Sequence, residues 1–187
     1  MIELKNLKKY YGDIAAVDDI SLTIKNGVVM GLLGTNGAGK STLLRCMAGI
    51  LKPEHGEVLI NGQPVWNNPE AKSLFFYISD DQFYFPNSTP KDLGAFYKTY
   101  YPAFDAERFH ELLNKIDLPA NRKIRTFSKG MKKQLSILLG ICAGTQYLFC
   151  DETFDGLDPV MRQAIKSLFI QEMAERSFTP VIASHNL

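Results

Sequence analysis

One stretch of the sequence has the residue types and spacing of a phosphate-binding loop. The pattern G-x-x-x-x-G-K-[ST] is matched by Gly34-Thr35-Asn36-Gly37-Ala38-Gly39-Lys40-Ser41. Glycines let several backbone N–H groups point at one phosphate, and a helix that follows presents its positive N-terminal end to the same anion. In such a loop Lys40 reaches the β- and γ-phosphates and the Ser41 hydroxyl ligates Mg²⁺. We therefore predict that residues 34–42, which end at Thr42, bind a nucleoside triphosphate with Mg²⁺.

Two adjacent carboxylates follow a short apolar segment later in the chain. The segment is Tyr147-Leu148-Phe149-Cys150, which predicts a buried strand, and Asp151 and Glu152 come directly after it. A phosphate-binding loop needs an acidic partner for Mg²⁺, which the tip of a neighbouring strand can deliver. We predict that Asp151 acts through the metal held by Ser41 and that Glu152 is the general base for the attacking water. The alternative is a plain strand end with two solvated acids, and the phosphate-loop pattern favours the functional interpretation.

These residues need a framework of strands and helices to bring them together. Apolar runs and turn residues predict strands at 2–7, 21–24, 28–33, 58–60, 75–79, 147–150 and 180–183. Helices are predicted at 41–51 and 128–144, and a later one is marked by Met161, Ile165, Leu168 and Phe169. Strands that alternate with helices predict a mainly parallel sheet with helices on both faces. The segment 88–140 has a helical pattern and is predicted to be an inserted subdomain.

Composition excludes several classes of protein. The 187 residues carry a formal net charge of +1, so no basic field indicates a nucleic-acid partner. No apolar run is long enough to cross a bilayer, and the alternating start Met1-Ile2-Glu3-Leu4-Lys5 predicts a strand rather than a secretion signal. We therefore expect a cytoplasmic location. Three cysteines without metal-ligand spacing predict free, buried thiols.

The order of these motifs resembles that of the ATP-binding subunit of an ABC transporter, and the resemblance covers essentially the whole chain. It implies an α/β P-loop NTPase fold with a mainly parallel core sheet, an N-terminal antiparallel β subdomain and an inserted α-helical subdomain. It also implies one ABC ATPase domain over residues 1–187, in which 1–87 and 141–187 form the core with the β subdomain and 88–140 form the helical subdomain. The implied activity is ATP hydrolysis, with ATP and Mg²⁺ as ligands, that drives transport through a separate membrane subunit.

Further residues take roles only from this resemblance. The family signature L-S-G-G-Q corresponds to Phe127-Ser128-Lys129-Gly130-Met131, in which Ser128 and Gly130 are kept. In the family the signature of one subunit closes over the nucleotide of a second, which implies a head-to-tail dimer. His185 corresponds to the switch histidine at the γ-phosphate, and Tyr11 to the aromatic residue that stacks on adenine, although Tyr11 as a core aromatic is the alternative. Gly156-Leu157-Asp158-Pro159 resembles the D-loop, which runs along the dimer interface.

The sequence also departs from the family pattern. Thr35 replaces a common proline, and Thr153-Phe154 follows Glu152 where Pro-Thr is usual. The Q-loop glutamine of the family corresponds to Asp80, which then takes a place on the metal side, or to Gln82 if the loop is shifted. The signature with Lys129 resembles that of exporter subunits. Because family members usually continue beyond the switch histidine, we expect that a C-terminal part is missing.

Aromatic residues flank the helical segment, where the family has a groove for a coupling helix of the membrane subunit. They are Phe83, Tyr84, Phe85, Phe96, Tyr97, Tyr100, Tyr101 and Phe104. We expect most of them to form the core of the subdomain, and an exposed patch among them would indicate docking. The expected location is the inner face of the cell membrane. Two other functions stay open, an ABC ATPase that acts on DNA or ribosomes and a non-catalytic nucleotide-binding regulator, although the neutral charge and Glu152 disfavour them.

Overall fold

The computed structural model describes residues 1–185, which form two four-stranded sheets and six α-helices. The strands are β1 (Ile2–Tyr11), β2 (Ile14–Ile24), β3 (Met30–Leu33), β4 (His55–Ile60), β5 (Gln63–Pro64), β6 (Phe75–Ile78), β7 (Tyr147–Asp151) and β8 (Thr179–Ser184). The helices are α1 (Lys40–Met47), α2 (Pro69–Lys72), α3 (Pro90–Tyr100), α4 (Ala106–Lys115), α5 (Lys129–Cys142) and α6 (Pro159–Glu175), with a 3₁₀ turn at Ile124–Thr126.

The core sheet has the strand order β3-β8-β7-β6, and all three of its strand pairs are parallel. The second sheet has the order β2-β1-β4-β5 and is antiparallel throughout. The predicted mainly parallel core sheet and the N-terminal antiparallel sheet are therefore confirmed. Parallel neighbours need long crossover connections, which here contain helices that cover the sheet.

Both faces of the core sheet are buried, and β7 shows how its sequence achieves this. Successive side chains of a strand point to opposite faces. Leu148 and Cys150 belong to an apolar cluster with α3, α4, α5 and α6, whereas Tyr147 and Phe149 belong to a second cluster with α1 and the antiparallel sheet. A strand that is apolar on both faces must lie between two layers, which explains the continuous apolar run before Asp151.

Side-chain caps fix where the helices of the second half begin. Thr89 and Asp92 form a reciprocal capping box at the start of α3. Asp105 caps α4 through the amide of Arg108 at 2.9 Å, and Asp158 caps α6 through that of Met161 at 2.9 Å. Helices α3, α4 and most of α5 occupy the segment that we assign to a helical subdomain, and the division of the chain at residues 88 and 140 stays a prediction.

Element boundaries differ from expectation at a few places. Helix α1 ends at Met47 rather than near residue 51, because Gly49 adopts a left-handed backbone (φ 59°) that closes the helix before Pro53 is reached. Helix α2 is not predicted from the sequence, and it starts because the Asn68 side chain accepts hydrogen bonds from the amides of Glu70 and Ala71.

The cysteines and the helix lengths bear on the predicted protein class. Cys46, Cys142 and Cys150 are free and buried, as predicted, and burial raises the pKa of each thiol above its ordinary value. Within residues 1–185 no helix is both long and apolar enough to cross a bilayer.

Candidate functional site

All four strands of the core sheet end at one edge, and each is followed by residues predicted to act. The phosphate-loop segment follows β3, Asp80 follows β6, Glu152 follows β7 and His185 follows β8. The carboxyl edge of a parallel sheet is where α/β proteins bind their ligands. The topology therefore collects side chains that lie far apart in the sequence.

The phosphate loop owes its shape to glycine. Gly37 and Gly39 have φ values of 83° and 86°, which favour glycine over residues with a side chain. A Cβ atom on Gly39 would lie 2.0 Å from the carbonyl oxygen of Ala16, so the strand β2 and the loop touch at a point where only glycine fits. The loop leads directly into α1, whose N-terminus has no side-chain cap, so the first N–H groups of the helix are free to donate to a ligand.

Lys40 lies along the inside of this loop. Its Nζ donates hydrogen bonds to the carbonyl oxygens of Gly34 at 2.8 Å and Thr35 at 3.0 Å, and it lies 3.8 Å from Oε1 of Glu152. Its side chain is 7% exposed, so the ammonium is held at the mouth of the loop rather than in bulk water. The position fits a cation that neutralises a bound phosphate.

Ser41 and Asp151 are in direct contact across the sheet edge. The Ser41 hydroxyl donates to Oδ1 of Asp151 at 2.7 Å, and Tyr77 donates to Oδ2 of the same carboxylate at 3.1 Å. Asp151 is fully buried. Burial, and next to it the negative charge of Asp151, raises the pKa of Tyr77 to about 12, so Tyr77 remains a hydrogen-bond donor. A hydroxyl and a carboxylate side by side form the hard oxygen donor set that Mg²⁺ prefers.

Glu152, Asp155 and His185 form a second group beside this pair. Nδ1 of His185 lies 3.1 Å from Oδ2 of Asp155 and 3.9 Å from Oε2 of Glu152. Ser184 donates to the other oxygen of Asp155 at 2.9 Å. The predicted base and the predicted switch histidine are thus neighbours, and Asp155 joins the end of β8 to the loop after β7.

Tyr11 and the phosphate loop line the same cleft, which has a volume of about 370 Å³. The other lining residues are Ile14, Ala15, Ala16, Gly37, Ala38, Gly39, Lys40, Ser41, Thr42 and Glu152. Tyr11 ends β1 and is 48% exposed, so its ring is open to a planar ligand rather than buried in the core. The alternative that Tyr11 is a core aromatic is wrong.

Ser128 caps α5, and its Oγ accepts a hydrogen bond from the amide of Met131 at 3.1 Å. The side chain is exposed and does not line the cleft that Tyr11 lines. Gly130 is half-buried but has room for a side chain, since the nearest atom that a Cβ there would meet beyond its own helix backbone is Oγ of Ser128 at 3.9 Å. Among residues 1–185 no close contact requires a glycine at this position in the first turn of α5.

The two candidates for the Q-loop position lie on the loop after β6 and have different surroundings. Asp80 is half exposed, and its carboxylate lies 3.4 Å from Nζ of Lys133. The amide oxygen of Gln82 accepts from the hydroxyl of Tyr84 at 2.7 Å, whereas its amide nitrogen is buried without a hydrogen-bond partner among the described residues. Both assignments to this position, including the metal-side place of Asp80, stay predictions.

Three residues of the site escape the sequence motifs. Tyr77 carries the only hydroxyl in the otherwise apolar strand β6. This hydroxyl is the sequence signal that could have indicated a polar contact there. Asp155 and Lys133 belong to no motif that we recognised. Their partners come from elements that are brought together only by folding, so no local spacing indicates them.

Comparison with known proteins places this architecture in a family. A family model described as ABC transporter matches residues 17–155. The ABC transporter ATP-binding protein YtrB of Bacillus subtilis (strain 168) is 36% identical over 187 residues, which are 100% of this chain and 64% of that protein. The chain therefore spans less than two thirds of the length of this relative.

Two solved structures share the fold. One is described as the ATP-binding subunit of an ABC transporter, with a TM-score of 0.90 at 26% identity and coverage of 100% of this chain and 80% of that chain. The other is a dimeric bacterial ABC transporter cassette, with a TM-score of 0.87 at 24% identity and coverage of 100% of this chain and 88% of that chain. The predicted fold class is confirmed by these likenesses, and the family match confirms the resemblance seen in the motifs. The chain belongs to the ABC transporter family.

Proposed function

We propose that this chain binds ATP with Mg²⁺, hydrolyses it, and uses the resulting movement to drive transport through a separate membrane subunit. The observation that carries the proposal is the 2.7 Å contact between Ser41 and Asp151, because it joins the phosphate loop to the acidic strand end next to Glu152. The match to the ABC transporter family and the similarity to an ABC transporter ATP-binding protein support the same conclusion.

The residues of the loop bind the triphosphate. The backbone amides of the loop and the first turn of α1 donate to phosphate oxygens, and Lys40 turns its ammonium from the carbonyls of Gly34 and Thr35 to the β- and γ-phosphates. Ser41 and Asp151 hold Mg²⁺, which supplies charge neutralisation at the phosphates when it is bound. Tyr11 stacks on the adenine, as its exposed ring at the cleft allows.

Glu152 and His185 carry out the hydrolysis step. The Glu152 carboxylate lies beside Lys40, where it accepts a proton from the attacking water. His185 donates to the γ-phosphate and reports its presence. These roles, like those of the other site residues, are proposals that the geometry supports.

A second copy of the chain completes the site. Ser128 is exposed and Gly130 half-buried at the start of α5, and neither lines the cleft of Tyr11, so this positive helix end is available to a nucleotide on a partner subunit. The solved structure of a similar cassette is dimeric, which supports a dimer here, and the head-to-tail arrangement is part of the proposal.

The membrane subunit is expected to dock on an exposed aromatic patch. We define this aromatic patch as Phe83, Phe85, Phe96 and Tyr100, which are 82%, 48%, 37% and 67% exposed. The rings contact one another, with centroid distances of 5.9, 5.1 and 4.8 Å along the series. Phe104 is buried, and Tyr84, Tyr97 and Tyr101 pack against the core, so half of the eight aromatic residues belong to the core, fewer than the majority that we expect from the sequence.

Four neighbouring aromatic rings in water are unfavourable unless a partner covers them, which supports docking of an apolar segment. The proposed partners are thus a membrane permease on another chain and a second ATPase subunit. The location that follows from this proposal is the inner face of the cell membrane.

The ATPase proposal is tested by Lys40→Met. We expect ATP to bind about 10–100-fold more weakly, because hydrogen bonds to a charged group contribute about 1.5–3 kcal/mol. Titration with a fluorescent ATP analogue measures binding, and the release of phosphate in the presence of Mg²⁺ measures hydrolysis. Lys25→Met, in the exposed turn between β2 and β3, is the matched control. The proposal would be rejected if the wild-type chain released no phosphate from ATP. It would also be rejected if Lys40→Met bound and hydrolysed ATP as well as the wild type.

The adenine contact gives a second prediction. Tyr11→Ala is expected to raise KM for ATP about 5–100-fold, since base–aromatic stacking contributes about 1–3 kcal/mol. Tyr11→Phe keeps the ring and should leave KM within about twofold. Steady-state kinetics with ATP check both variants, and an alanine variant with unchanged KM would show that Tyr11 is not in the binding site.

A further inference from the structure

Lys133 connects three parts of the site through one ammonium group. It lies on α5, the helix that Ser128 caps, and its Nζ donates to the backbone carbonyl oxygens of Glu152 at 2.7 Å and Asp155 at 2.9 Å. Its third neighbour is the carboxylate of Asp80 at 3.4 Å. An ammonium has three N–H donors, so these three acceptors use its full capacity. The side chain is 15% exposed, which means that the contacts are largely shielded from water.

The loop that Lys133 holds has an uncommon backbone conformation. Glu152 has a φ of 47°, in the left-handed region that is unfavourable for a residue with a Cβ atom. Such a conformation persists only where the surroundings impose it. The amide of Glu152 donates to the carbonyl of Ala183 at 3.0 Å, and its carbonyl accepts from the amide of Asp155 at 3.3 Å. Lys133 donates to the same Glu152 carbonyl oxygen, and at 2.7 Å this is the shortest of the three bonds.

The backbone angle at Glu152 sets where its carboxylate points. At present that carboxylate lies 3.8 Å from Lys40 and 3.9 Å from His185. A general base must reach the proton that it takes to within hydrogen-bond distance, and a misplacement of about 1 Å can lower a rate by about 10²-fold. Loss of the Lys133 contacts frees the peptide to relax toward an unstrained conformation, which would turn the carboxylate away.

We propose that Lys133 is a positioning residue for Glu152, and that it acts by holding the left-handed backbone of the catalytic loop. The inference rests on the proposed function, because it assigns Glu152 the part of the general base. A purely structural crosslink between α5 and the loop is the competing explanation. The two differ in whether Lys133 acts on the rate through Glu152 or on the stability of the whole chain.

The first experiment compares Lys133→Met with Lys133→Arg in the full chain. The methionine keeps the apolar stem but removes the donors, and we expect kcat for ATP to fall about tenfold while KM changes by less than about twofold. The arginine keeps charge and donors and should recover at least part of kcat. Lys166→Met, an exposed lysine on α6, is the control for loss of a helical lysine. A Lys133→Met variant with unchanged kcat and a higher KM for ATP would overturn the proposal.

A second arm separates positioning from stability. In the Glu152→Gln background, Lys133→Met should produce no further loss of the residual hydrolysis rate, because the group that it positions no longer acts as a base. A crosslink that only stabilises the fold would lower that rate by the same factor in both backgrounds. Additive losses would therefore overturn the proposal.

The third arm needs no activity at all. Hydrogen exchange followed by mass spectrometry should show amides of residues 151–157 exchanging at least tenfold faster in Lys133→Met, with exchange in β8 and α6 unchanged. If the wild-type chain does not hydrolyse ATP, the proposed function fails while this readout still decides whether Lys133 holds the loop. Unchanged exchange in residues 151–157 would show that it does not.

Discussion

Glu152→Gln is expected to lower the rate of ATP hydrolysis about a thousandfold while ATP binding is retained. General base catalysis contributes about 10²–10⁴-fold, and an amide of the same shape does not accept the proton of the attacking water. Glu152 lies 3.8 Å from Lys40, so the substitution also removes a negative charge from the region where the γ-phosphate binds. Affinity for ATP should therefore stay the same or increase.

The same variant tests the dimer. If two chains close around two ATP molecules and hydrolysis reopens them, a chain that no longer hydrolyses should accumulate in the closed state. We expect the molar mass measured by light scattering to be that of a monomer without nucleotide and of a dimer with ATP and Mg²⁺. Ser128→Arg, which places a large cation at the exposed start of α5, should prevent this dimer without affecting ATP binding to the monomer.

Glu107→Gln is the matched control for the hydrolysis measurement, since Glu107 is an exposed glutamate in the first turn of α4. It should hydrolyse ATP at the wild-type rate. Two results would contradict the assignments. If Glu152→Gln keeps more than a tenth of the hydrolysis rate, Glu152 is not the general base. If the variant binds ATP but stays monomeric, nucleotide alone does not close two chains into a dimer.

The sequence predicts the phosphate loop well because its chemistry is local. Gly34 to Ser41 must follow a strand and open a helix, and the structure has β3 before them and α1 after them. The pairing of Ser41 with Asp151 is also predictable, although they lie 110 residues apart. Parallel strands carry their following residues to one edge, so an acid after one strand and a phosphate loop after another are expected to meet.

Contacts that depend on the exact packing are not predictable in this way. Lys133 contacts Glu152 and Asp155 only because α5 packs in one particular position relative to the loop after β7. The apolar periodicity of α5 predicts a helix but does not fix that position. The positive φ of Glu152 likewise follows from hydrogen bonds to Ala183 and Lys133 rather than from its own preference. Tertiary contacts override local propensity at such sites.

The largest stability effect is expected at a buried carboxylate outside the ATP site. Glu172 on α6 is 1% exposed and forms ion pairs with Arg108 of α4 and with Arg176, whose Nε lies 2.7 Å from Oε2. Arg176 also donates to the carbonyl oxygens of Thr145 and Ile141, and its guanidinium lies 4.6 Å from the centroid of the Phe178 ring. The group therefore ties α4, α5 and α6 to the residues that precede β7 and β8.

Glu172→Ala should lower the free energy of unfolding by about 3–5 kcal/mol, because it removes the buried carboxylate that two largely shielded guanidinium groups share. The two arginines are 26% and 27% exposed, and after the substitution Arg108 keeps the exposed Glu175 at 3.5 Å as a neighbour, whereas Arg176 loses its carboxylate partner. Urea unfolding followed by circular dichroism measures this loss as a lower midpoint concentration of urea, with an unchanged dependence of the free energy on urea concentration. In a chain whose total stability is about 5–15 kcal/mol, this loss would be a large fraction of the whole.

Glu175→Ala is the matched control on the same helix. Glu175 also faces Arg108, at 3.5 Å, but it is 51% exposed, and exposed ion pairs contribute about 0–1 kcal/mol. A difference of several kcal/mol between the two alanine variants would establish that burial, rather than the presence of an arginine partner, decides the cost. Conversely, a Glu172→Ala variant within about 1 kcal/mol of wild type would mean that water enters and solvates the two guanidinium groups, because an uncompensated buried charge costs more than that. Glu172→Gln keeps the volume of the side chain and removes only its charge, so a loss close to that of the alanine variant would assign the penalty to the unpaired cations, whereas a much smaller loss would assign it to the cavity.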